Sequence, residues 1–464
     1  MSQPTLRTEL DEAQLGDASG FAGHPKGLTP LFFTELWERF SYYGMRAILV
    51  LYMVALPGEG GLGFDTKHAT SIYGTYTMSV YLTALPGGLI ADHFLGARLA
   101  VLIGGIIIAA GHFTMVFHSM TSFYLGMVLI AVGTGFLKPN ISAMIGGLYK
   151  ENDPRRDSGF SIFYMGINIG AVLAPLAVGY LAQGKSFKRF LASMGFDPNT
   201  SWHWGFGAAG VGMIIGLVVY LLASQRLAKV GNRVKTKVEK AMEAPAAKLT
   251  TADWKRVAAI VVFFLFTILF WGAYEQKGAS LNLFAKQLVN TEVFGIGFPS
   301  SYLQSCTPLF VIALAPIFSG LWVKLGNRQP SSPAKFTFGL LFIGIAFLVL
   351  VPASYLTGFG KISPLWLVAL YFIEVVGEMC LSPVGLSTVT KLSPAKLVGI
   401  MMGVWFLASS FGSKLAGYLS GFFVANNPSQ LMKLYGGIAI GLLISAGILA
   451  MLNPRIKKLM GHVK

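Results

Sequence analysis

Long apolar runs recur along all 464 residues of the sequence, and they constrain the fold more than any other feature. A run of about 18 or more apolar residues can cross roughly 30 Å of hydrocarbon as a helix. Inside lipid only helices and closed barrels satisfy every backbone hydrogen bond. The chain is 54% hydrophobic and 12% charged, whereas soluble domains average about 25% charged residues. The sequence therefore predicts an all-α integral membrane protein.

Windows of about 19 residues predict twelve transmembrane helices. The spans lie at 31–55, 70–92, 98–118, 122–147, 159–182, 204–224, 256–274, 301–323, 336–356, 365–387, 397–423 and 434–452. The predicted domains are a tail (1–29), a six-helix bundle (30–224), a linker (225–254), a second six-helix bundle (255–453) and a tail (454–464). A weak internal repeat after the second and eighth spans favours two related halves.

The positions of the basic residues predict the orientation of the chain. A net charge of +16 in a soluble protein would suggest nucleic acid or anionic lipid as a partner. Here the Lys and Arg residues concentrate on one side of the spans, with nine of them from Arg226 to Arg256. Because cytoplasmic loops retain positive residues, both tails and the linker are expected in the cytoplasm, and nucleic acid is not an expected partner.

Charged residues inside the spans are the main functional signal, since each costs a few kcal/mol or more in lipid. They are Glu35, Glu38, Arg39, Arg46, Lys138, Glu275, Glu374, Glu378 and Lys414. At 1.5 Å of rise per residue, Glu38, Lys138 and Asn168 lie about 12 to 14 Å from the cytoplasmic side. The default interpretation of such residues is a set of paired groups around a wet cavity.

Two pairings follow from spacing and depth. Glu35, Glu38 and Arg39 share one helical face, and Glu35 or Glu38 is expected to form a switchable ion pair with Lys138. Glu374 and Lys414 lie at similar depth on consecutive spans and are expected to form a structural or gating bridge. The alternative is that these charges only hold helices together.

Several motifs resemble those of the proton-dependent oligopeptide transporters, a branch of the major facilitator superfamily. The first span reads Glu35-Leu-Trp-Glu38-Arg39-Phe-Ser-Tyr42-Tyr43-Gly and is similar to the family's ExxERFxYYG signature. The fifth span contains Phe-Tyr-Met-Gly-Ile-Asn168-Ile-Gly170, similar to FYxxINxG. The resemblance implies two six-helix bundles around a central cavity, and symport of di- and tripeptides with protons by alternating access.

The resemblance also implies residue roles. Arg39, Tyr43 and Lys138 would bind the peptide carboxylate, and Asn168 and Glu378 its ammonium group. Tyr42, Tyr81, Trp405 and Ser409 would line the side-chain pocket. Thr307 stands where the family usually has Asn and would be a weaker contact to the ammonium group.

The same resemblance implies that proton movement is coupled to transport by Arg46 together with Glu35, Glu38 and Glu275. Protonation of Glu35 or Glu38 would free Lys138 to bind the peptide carboxylate. Asp92 and Arg98 belong to a loop that resembles the superfamily's cytoplasmic gate signature. The expected partners are peptides, protons and the lipid of a bacterial inner membrane. The expected state is a monomer without cofactor or metal.

Three kinds of alternative remain. The first is a carrier of the same fold for another anionic or zwitterionic solute, such as nitrate or an amino acid. The second is a channel or a sensor that binds peptide, and the third is a membrane enzyme. We find no HExxH metal motif and no GxSxG nucleophile motif in any span, so the sequence does not favour an enzyme.

Overall fold

The computed structural model describes residues 17–150, 153–227, 230, 249–394 and 397–461, and these residues are predominantly helical. The one two-stranded sheet within those ranges pairs Glu292–Val293 with Ile296–Gly297. The all-α prediction is confirmed. The predicted linker lies largely outside the described residues, at 228–229 and 231–248, as do residues 1–16 of the first tail and 462–464 of the second. Residues 454–460 of the second tail continue the last helix, Pro428–Met460.

Each of the twelve predicted spans overlaps one long helix. In chain order these are α1 Leu28–Val54, α2 Thr66–Leu82, α3 Ala97–Thr114, α4 Met120–Gly147, α5 Arg156–Gln183, α6 Ser201–Leu222, α7 Thr251–Tyr274, α8 Cys306–Leu325, α9 Ser332–Leu356, α10 Leu365–Leu392, α11 Val398–Ser420 and α12 Pro428–Met460. The shorter α-helices are Ala84–Ile90, Lys185–Ser193 and Ser280–Leu288, and Ala91–Leu95 forms a π turn. Short 3₁₀ turns occupy Phe21–Gly23, Pro57–Glu59, Pro198–Thr200, Glu275–Gly278, Ser300–Ser305, Gly326–Arg328 and Thr357–Phe359.

The second predicted span is interrupted rather than continuous. α2 ends at Leu82, and a separate helix covers Ala84–Ile90. Pro86 explains the break, because it lacks the N–H that would bond to the carbonyl of Leu82 and its ring crowds that carbonyl.

Apolar content alone does not identify all of these helices. Among the described residues, nine helical segments are long and apolar enough to cross a membrane, and α1, α2 and α11 are not among them. α1 carries Glu35, Glu38, Arg39 and Arg46, so its charged residues lower its apolar character. Charged residues of the predicted site therefore lie in a helix that an apolar-content criterion does not identify.

The chain forms two compact units. Unit 1 contains Met1–Met45, Leu82–Val178 and His203–Thr236, and unit 2 contains Arg46–Tyr81, Gly179–Trp202 and Lys237–Lys464. Boundaries between the units fall inside α1, α2, α5 and α6. The division into bundles at 30–224 and 255–453 remains a prediction.

Small residues allow the helices of unit 1 to pack closely. A Cβ atom on Gly104 of α3 would lie 2.6 Å from the carbonyl oxygen of Gly133 on α4. A Cβ atom on Gly111 of α3 would lie 2.8 Å from the carbonyl oxygen of Gly126 on α4. Such small-residue contacts are the usual means of tight helix packing in lipid. Beside them, Leu137, Ile141, Met144 and Met213 form part of a fully buried apolar core.

Unit 2 has an aromatic core and a close backbone contact between α2 and α11. Phe336, Phe347, Tyr371 and Tyr435 are fully buried. α2 and α11 meet at Gly74 and Gly417, where a Cβ on Gly74 would lie 2.8 Å from the Cα of Gly417. No side chain fits there without moving one helix away from the other.

We therefore expect Gly417→Leu to destabilise the protein by about 1 to 3 kcal/mol, the usual cost of overpacking. The measurement is the melting temperature of purified protein in detergent. Gly437→Leu is the matched control, because that glycine is exposed and nothing lies within 4 Å of its Cβ position. An equal melting temperature for the two variants would contradict the tight contact.

Candidate functional site

The site residues predicted from the sequence are shared between the two units. Unit 1 holds Glu35, Glu38, Arg39, Tyr42, Tyr43, Asp92, Arg98, Lys138 and Asn168. Unit 2 holds Arg46, Tyr81, Glu275, Thr307, Glu374, Glu378, Trp405, Ser409 and Lys414. Each group is described below within its own unit.

In unit 1, the charged residues of α1 form one buried cluster. Arg39 Nε lies 3.0 Å from Glu35 Oε1, and it also bonds to Glu38. All three side chains are nearly inaccessible, with 4% or less of their surface exposed. The i, i+4 spacing places Glu35 and Arg39 together on the helix, as the sequence predicts. Arg39 is therefore the base that directly contacts both carboxylates.

This cluster has unused hydrogen-bonding capacity. Glu35 Oε2, Glu38 Oε1 and Arg39 Nη2 are buried and have no hydrogen-bond partner among the described residues. Buried polar atoms of native proteins are nearly always hydrogen-bonded. The N–H donor of Arg39 is thus available to an anionic group of a ligand, and the acceptor oxygens of the two glutamates are available to a proton.

Lys138 and the aromatic residues complete the cluster in unit 1. Lys138 is half-buried on α4 and acts electrostatically on Glu35. Arg39 and Glu38 act on Glu35 more strongly than Lys138 does. The Arg39 guanidinium lies 5.3 Å from the centre of the Tyr42 ring, and the Tyr42 and Tyr43 rings meet edge to face at 5.2 Å. A cation over an aromatic face is stabilised by the ring quadrupole.

The glycines of the two motifs have a packing function. A Cβ on Gly170 of α5 would collide with the Leu36 carbonyl and approach the Arg39 Cβ to 3.1 Å. One on Gly44 of α1 would lie 2.6 Å from Val178. The same stretch of α5 carries Asn168, whose amide donates to the Tyr164 carbonyl at 2.9 Å. Close packing of α1 against α5 therefore positions Arg39 and Asn168.

The ends of the unit 1 helices carry the predicted gate residues. Arg98 Nη2 donates to the Ser224 carbonyl at 2.8 Å, and Tyr220 Oη donates to the Arg98 carbonyl at 2.9 Å, so α3 is tied to α6. Asp92 is exposed in the π turn. Outside the spanning helices, hydrogen bonds from Arg155 lower the pKa of the Asp153 carboxyl below its usual value.

In unit 2, the second charged cluster forms where α7 ends. The helix stops at Tyr274, and Glu275–Gly278 forms a 3₁₀ turn. Arg46 forms a buried ion pair with Glu275, and its Nε donates to Tyr73 Oη at 2.5 Å. Tyr274 Oη donates to Glu378 on α10. The structure thus brings together Arg46, Glu275 and Glu378.

Gln276 fixes this turn to α11. Its amide nitrogen donates to the carbonyls of Gly272 and Ala416, each at 3.2 Å. Its amide oxygen accepts from the hydroxyls of Ser280 and Ser420, each at 2.6 Å. The side chain is fully buried with four hydrogen bonds, so it holds the turn that carries Glu275.

The expected bridge between Glu374 and Lys414 is not formed in this structure. Lys414 Nζ donates to Thr75 Oγ1 at 2.6 Å. Glu374 is fully buried, and the charges that act on it are those of Lys277, Glu378 and Glu275. Equal depth on neighbouring helices does not fix the direction in which a side chain points, which is why the pairing was wrong.

The other predicted residues of unit 2 are on α2, α8 and α11. Trp405 is buried with its ring centre 6.0 Å from that of Phe336, and Ser409 and Tyr81 are half-buried. Thr307 is 2% exposed, and its hydroxyl has no hydrogen-bond partner in the described part of the chain.

Sequence reasoning missed Lys277, Tyr274 and Tyr73. Lys277 Nζ lies 3.2 Å from the centre of the Tyr274 ring, and it acts electrostatically on Glu275, Glu374 and Glu378. It follows the last turn of an apolar span, where hydropathy assigns a loop. The run Tyr-Glu-Gln-Lys at the end of that span was the available signal.

Comparison with known proteins identifies one family that this chain resembles. A family model described as the POT family matches residues 98–242 and 225–438. The peptide transporter YePEPT of Yersinia enterocolitica is 36% identical, and the alignment covers 96% of this chain and 97% of that protein. The di-/tripeptide transporter of Lactococcus lactis is 35% identical, with 96% and 98% covered. The uncharacterized transporter YclF of Bacillus subtilis is 39% identical, with 96% of each chain covered.

Solved structures give the same result. A crystal structure of a mutant of the peptide transporter POT in complex with alafosfalin has a TM-score of 0.86 and 40% identity, covering 96% of this chain and 98% of that chain. A POT family transporter in complex with 5-aminolevulinic acid has a TM-score of 0.84 and 31% identity, covering 96% and 99%.

Gln276→Leu is expected to destabilise unit 2, because it leaves buried hydroxyls and carbonyls without partners, at about 1 to 3 kcal/mol for each lost bond. The melting temperature in detergent measures the effect. Gln304→Leu is the matched control, since half-buried Gln304 donates a single bond, to the Ala47 carbonyl at 3.2 Å. A Gln304→Leu variant that is equally unstable would argue against Gln276 as the anchor.

Proposed function

This chain belongs to the POT family of the major facilitator superfamily, and on that premise we propose that it imports di- and tripeptides together with protons by alternating access. Relatives that are named peptide or di-/tripeptide transporters align with 96% of the chain, which supports a peptide substrate. The protein is a multi-pass membrane transporter of bacterial type. We infer further that it is not an enzyme, acts as a monomer in the inner membrane, and has both termini in the cytoplasm.

The buried Arg39 cluster carries this proposal. Every short peptide has a terminal carboxylate, a terminal ammonium group and a fixed backbone spacing, so a general carrier must bind these features. Arg39 Nη2 is a buried donor with no partner among the described residues, and a guanidinium is well suited to a carboxylate. Arg39, Tyr43 and Lys138 therefore bind the carboxylate of the peptide.

Other predicted site residues supply hydrogen-bond acceptors for the ammonium group of the peptide. Glu378 is a buried carboxylate, and the side-chain oxygens of Asn168 and Thr307 can also accept hydrogen bonds. Tyr42, Tyr81, Trp405 and Ser409 contact the peptide side chains, since flat amphipathic rings tolerate varied groups.

Proton coupling follows from competition for Arg39 and Lys138. The peptide carboxylate replaces Glu35 or Glu38 as their partner, and the displaced glutamate then takes up a proton because an unpaired buried carboxylate is costly. In unit 2, protonation of Glu275 would break its ion pair with Arg46. Asp92 and Arg98 act in gating, and Lys414 has a structural role through its hydrogen bond to Thr75.

A second candidate is a carrier of another small zwitterion. One solved relative binds 5-aminolevulinic acid, which also carries an amino group and a carboxylate. Such a ligand would use the same two end-group sites.

Uptake of labelled dialanine into proteoliposomes tests the substrate. An inwardly directed proton gradient should drive accumulation, and unlabelled di- and tripeptides should compete more strongly than 5-aminolevulinic acid or alanine. Lys138→Ala and Glu38→Gln should each abolish gradient-driven uptake. Normal uptake in both variants would contradict the coupling scheme, and stronger competition by 5-aminolevulinic acid would favour the second candidate.

Glu275→Gln separates substrate exchange from proton coupling. Because it removes the charge from the partner of Arg46, counterflow of dialanine should persist while accumulation driven by the proton gradient is lost. Glu292→Gln, which changes an exposed glutamate of the same unit, should leave both activities intact. Undiminished accumulation by Glu275→Gln would remove that residue from the mechanism.

A further inference from the structure

In unit 2, α8 is held weakly by the rest of the protein. In the segment Ser300–Leu325, which contains α8, 11% of the apolar stretch is buried. The value is 39% or more in each of the other eight segments of the described residues that could cross a membrane. α8 packs against α10, but it packs little against α9, which follows it in the chain. A contact that ties the end of α8 to α9 is therefore important for the position of α8.

One buried lysine makes such a contact. Lys335, near the start of α9, is 7% exposed, and its Nζ lies 4.1 Å from the centre of the Trp322 ring in the last turn of α8. The same Nζ donates to Gln329 Oε1, in the connection between the two helices, at 2.7 Å. None of the ion pairs among the described residues includes Lys335. The ring and the amide oxygen therefore compensate for the water that this ammonium group loses on burial.

Trp322 occupies a position that holds an acid in the first half of the chain. The connections before α3 and after α8 both contain the sequence Leu-Gly-X-Arg, and their glycines, Gly96 and Gly326, have φ values of 76° and 49°. When these glycines are aligned, Trp322 takes the position of Asp92. A carboxylate there could form an ion pair with Lys335, whereas the indole binds the same cation through its ring face.

We propose that Trp322 and Lys335 clasp the end of α8 to the start of α9, so that the two helices move together during alternating access. The inference rests on the proposed function. Neither residue needs to touch the substrate, and both are positioning residues for the movement. Because α8 packs little against α9, loss of the clasp leaves the end of α8 to follow that movement poorly, and the interconversion of states slows.

Loss of the clasp should lower the rate of transport and leave the affinity for peptide unchanged. Trp322→Leu keeps an apolar side chain but removes the ring, and Lys335→Met removes the cation. We expect each variant to lower the maximal rate of dialanine uptake about two- to fivefold, the factor that corresponds to about 0.5 to 1 kcal/mol for a cation–π contact. The double variant should be no slower than the single variants, because both remove the same contact.

A substitution that keeps an interaction with Lys335 should preserve the rate. Trp322→Phe retains an aromatic face, and Trp322→Glu supplies a carboxylate for an ion pair, so both should transport at close to the wild-type rate. Trp322→Glu combined with Lys335→Met should lose this rescue. Maximal rates are measured in proteoliposomes that contain equal amounts of protein, and the dissociation constant of dialanine is measured by calorimetry of the purified protein.

Lys324→Met is the matched control, because it removes an exposed lysine from the same turn of α8 and should change neither quantity. Wild-type rates in Trp322→Leu and Lys335→Met would overturn the inference. It is also wrong if Trp322→Leu weakens dialanine binding, or if Trp322→Phe and Trp322→Glu are as slow as Trp322→Leu, since the tryptophan then serves only packing. Wild-type protein that transports no dialanine would instead overturn the proposed function itself.

Discussion

Compensation of buried charge is the constraint on which the functional part of this structure depends. A carboxylate or base inside a membrane protein is tolerated only where an opposite charge or hydrogen bonds replace water. Arg39 performs this role for Glu35 and Glu38, and Arg46 performs it for Glu275. Because every partner is itself buried, removal of one charge must be answered by a proton or by a ligand group. The same physics that makes these residues costly therefore makes them suitable for coupling a solute to protons.

The helices are built so that these charges can meet. Gly170 lets α5 approach the backbone of α1 beside Arg39, and Gly74 lets α2 contact α11. The end of α7 is equally important, because a 3₁₀ turn there carries Glu275 and Lys277, and the four hydrogen bonds of Gln276 hold the turn in place. Small residues and one buried amide thus determine the geometry, while the charged residues supply the chemistry.

The sequence was sufficient for the fold class, the twelve helices and the family, because apolar length and the signature of the first helix are local features. The i, i+4 contact between Glu35 and Arg39 was predictable for the same reason. The pairing of Glu374 with Lys414 was not, because depth along a helix says nothing about rotation around its axis. Lys277 was missed because it follows the last turn of a span, and its three acidic neighbours come together only in the folded chain. The interruption of the second span at Thr83 follows from Pro86, to which apolar length is insensitive.

The central claim is that a peptide carboxylate and a buried glutamate compete for the same bases, so that peptide binding takes up a proton. Calorimetry of dialanine binding to the purified protein, in buffers of equal pH but different ionisation enthalpy, measures that proton directly. Buried-charge compensation predicts a binding enthalpy that changes with the buffer, with a slope that corresponds to net proton uptake by the protein. A binding enthalpy that is the same in every buffer would contradict it.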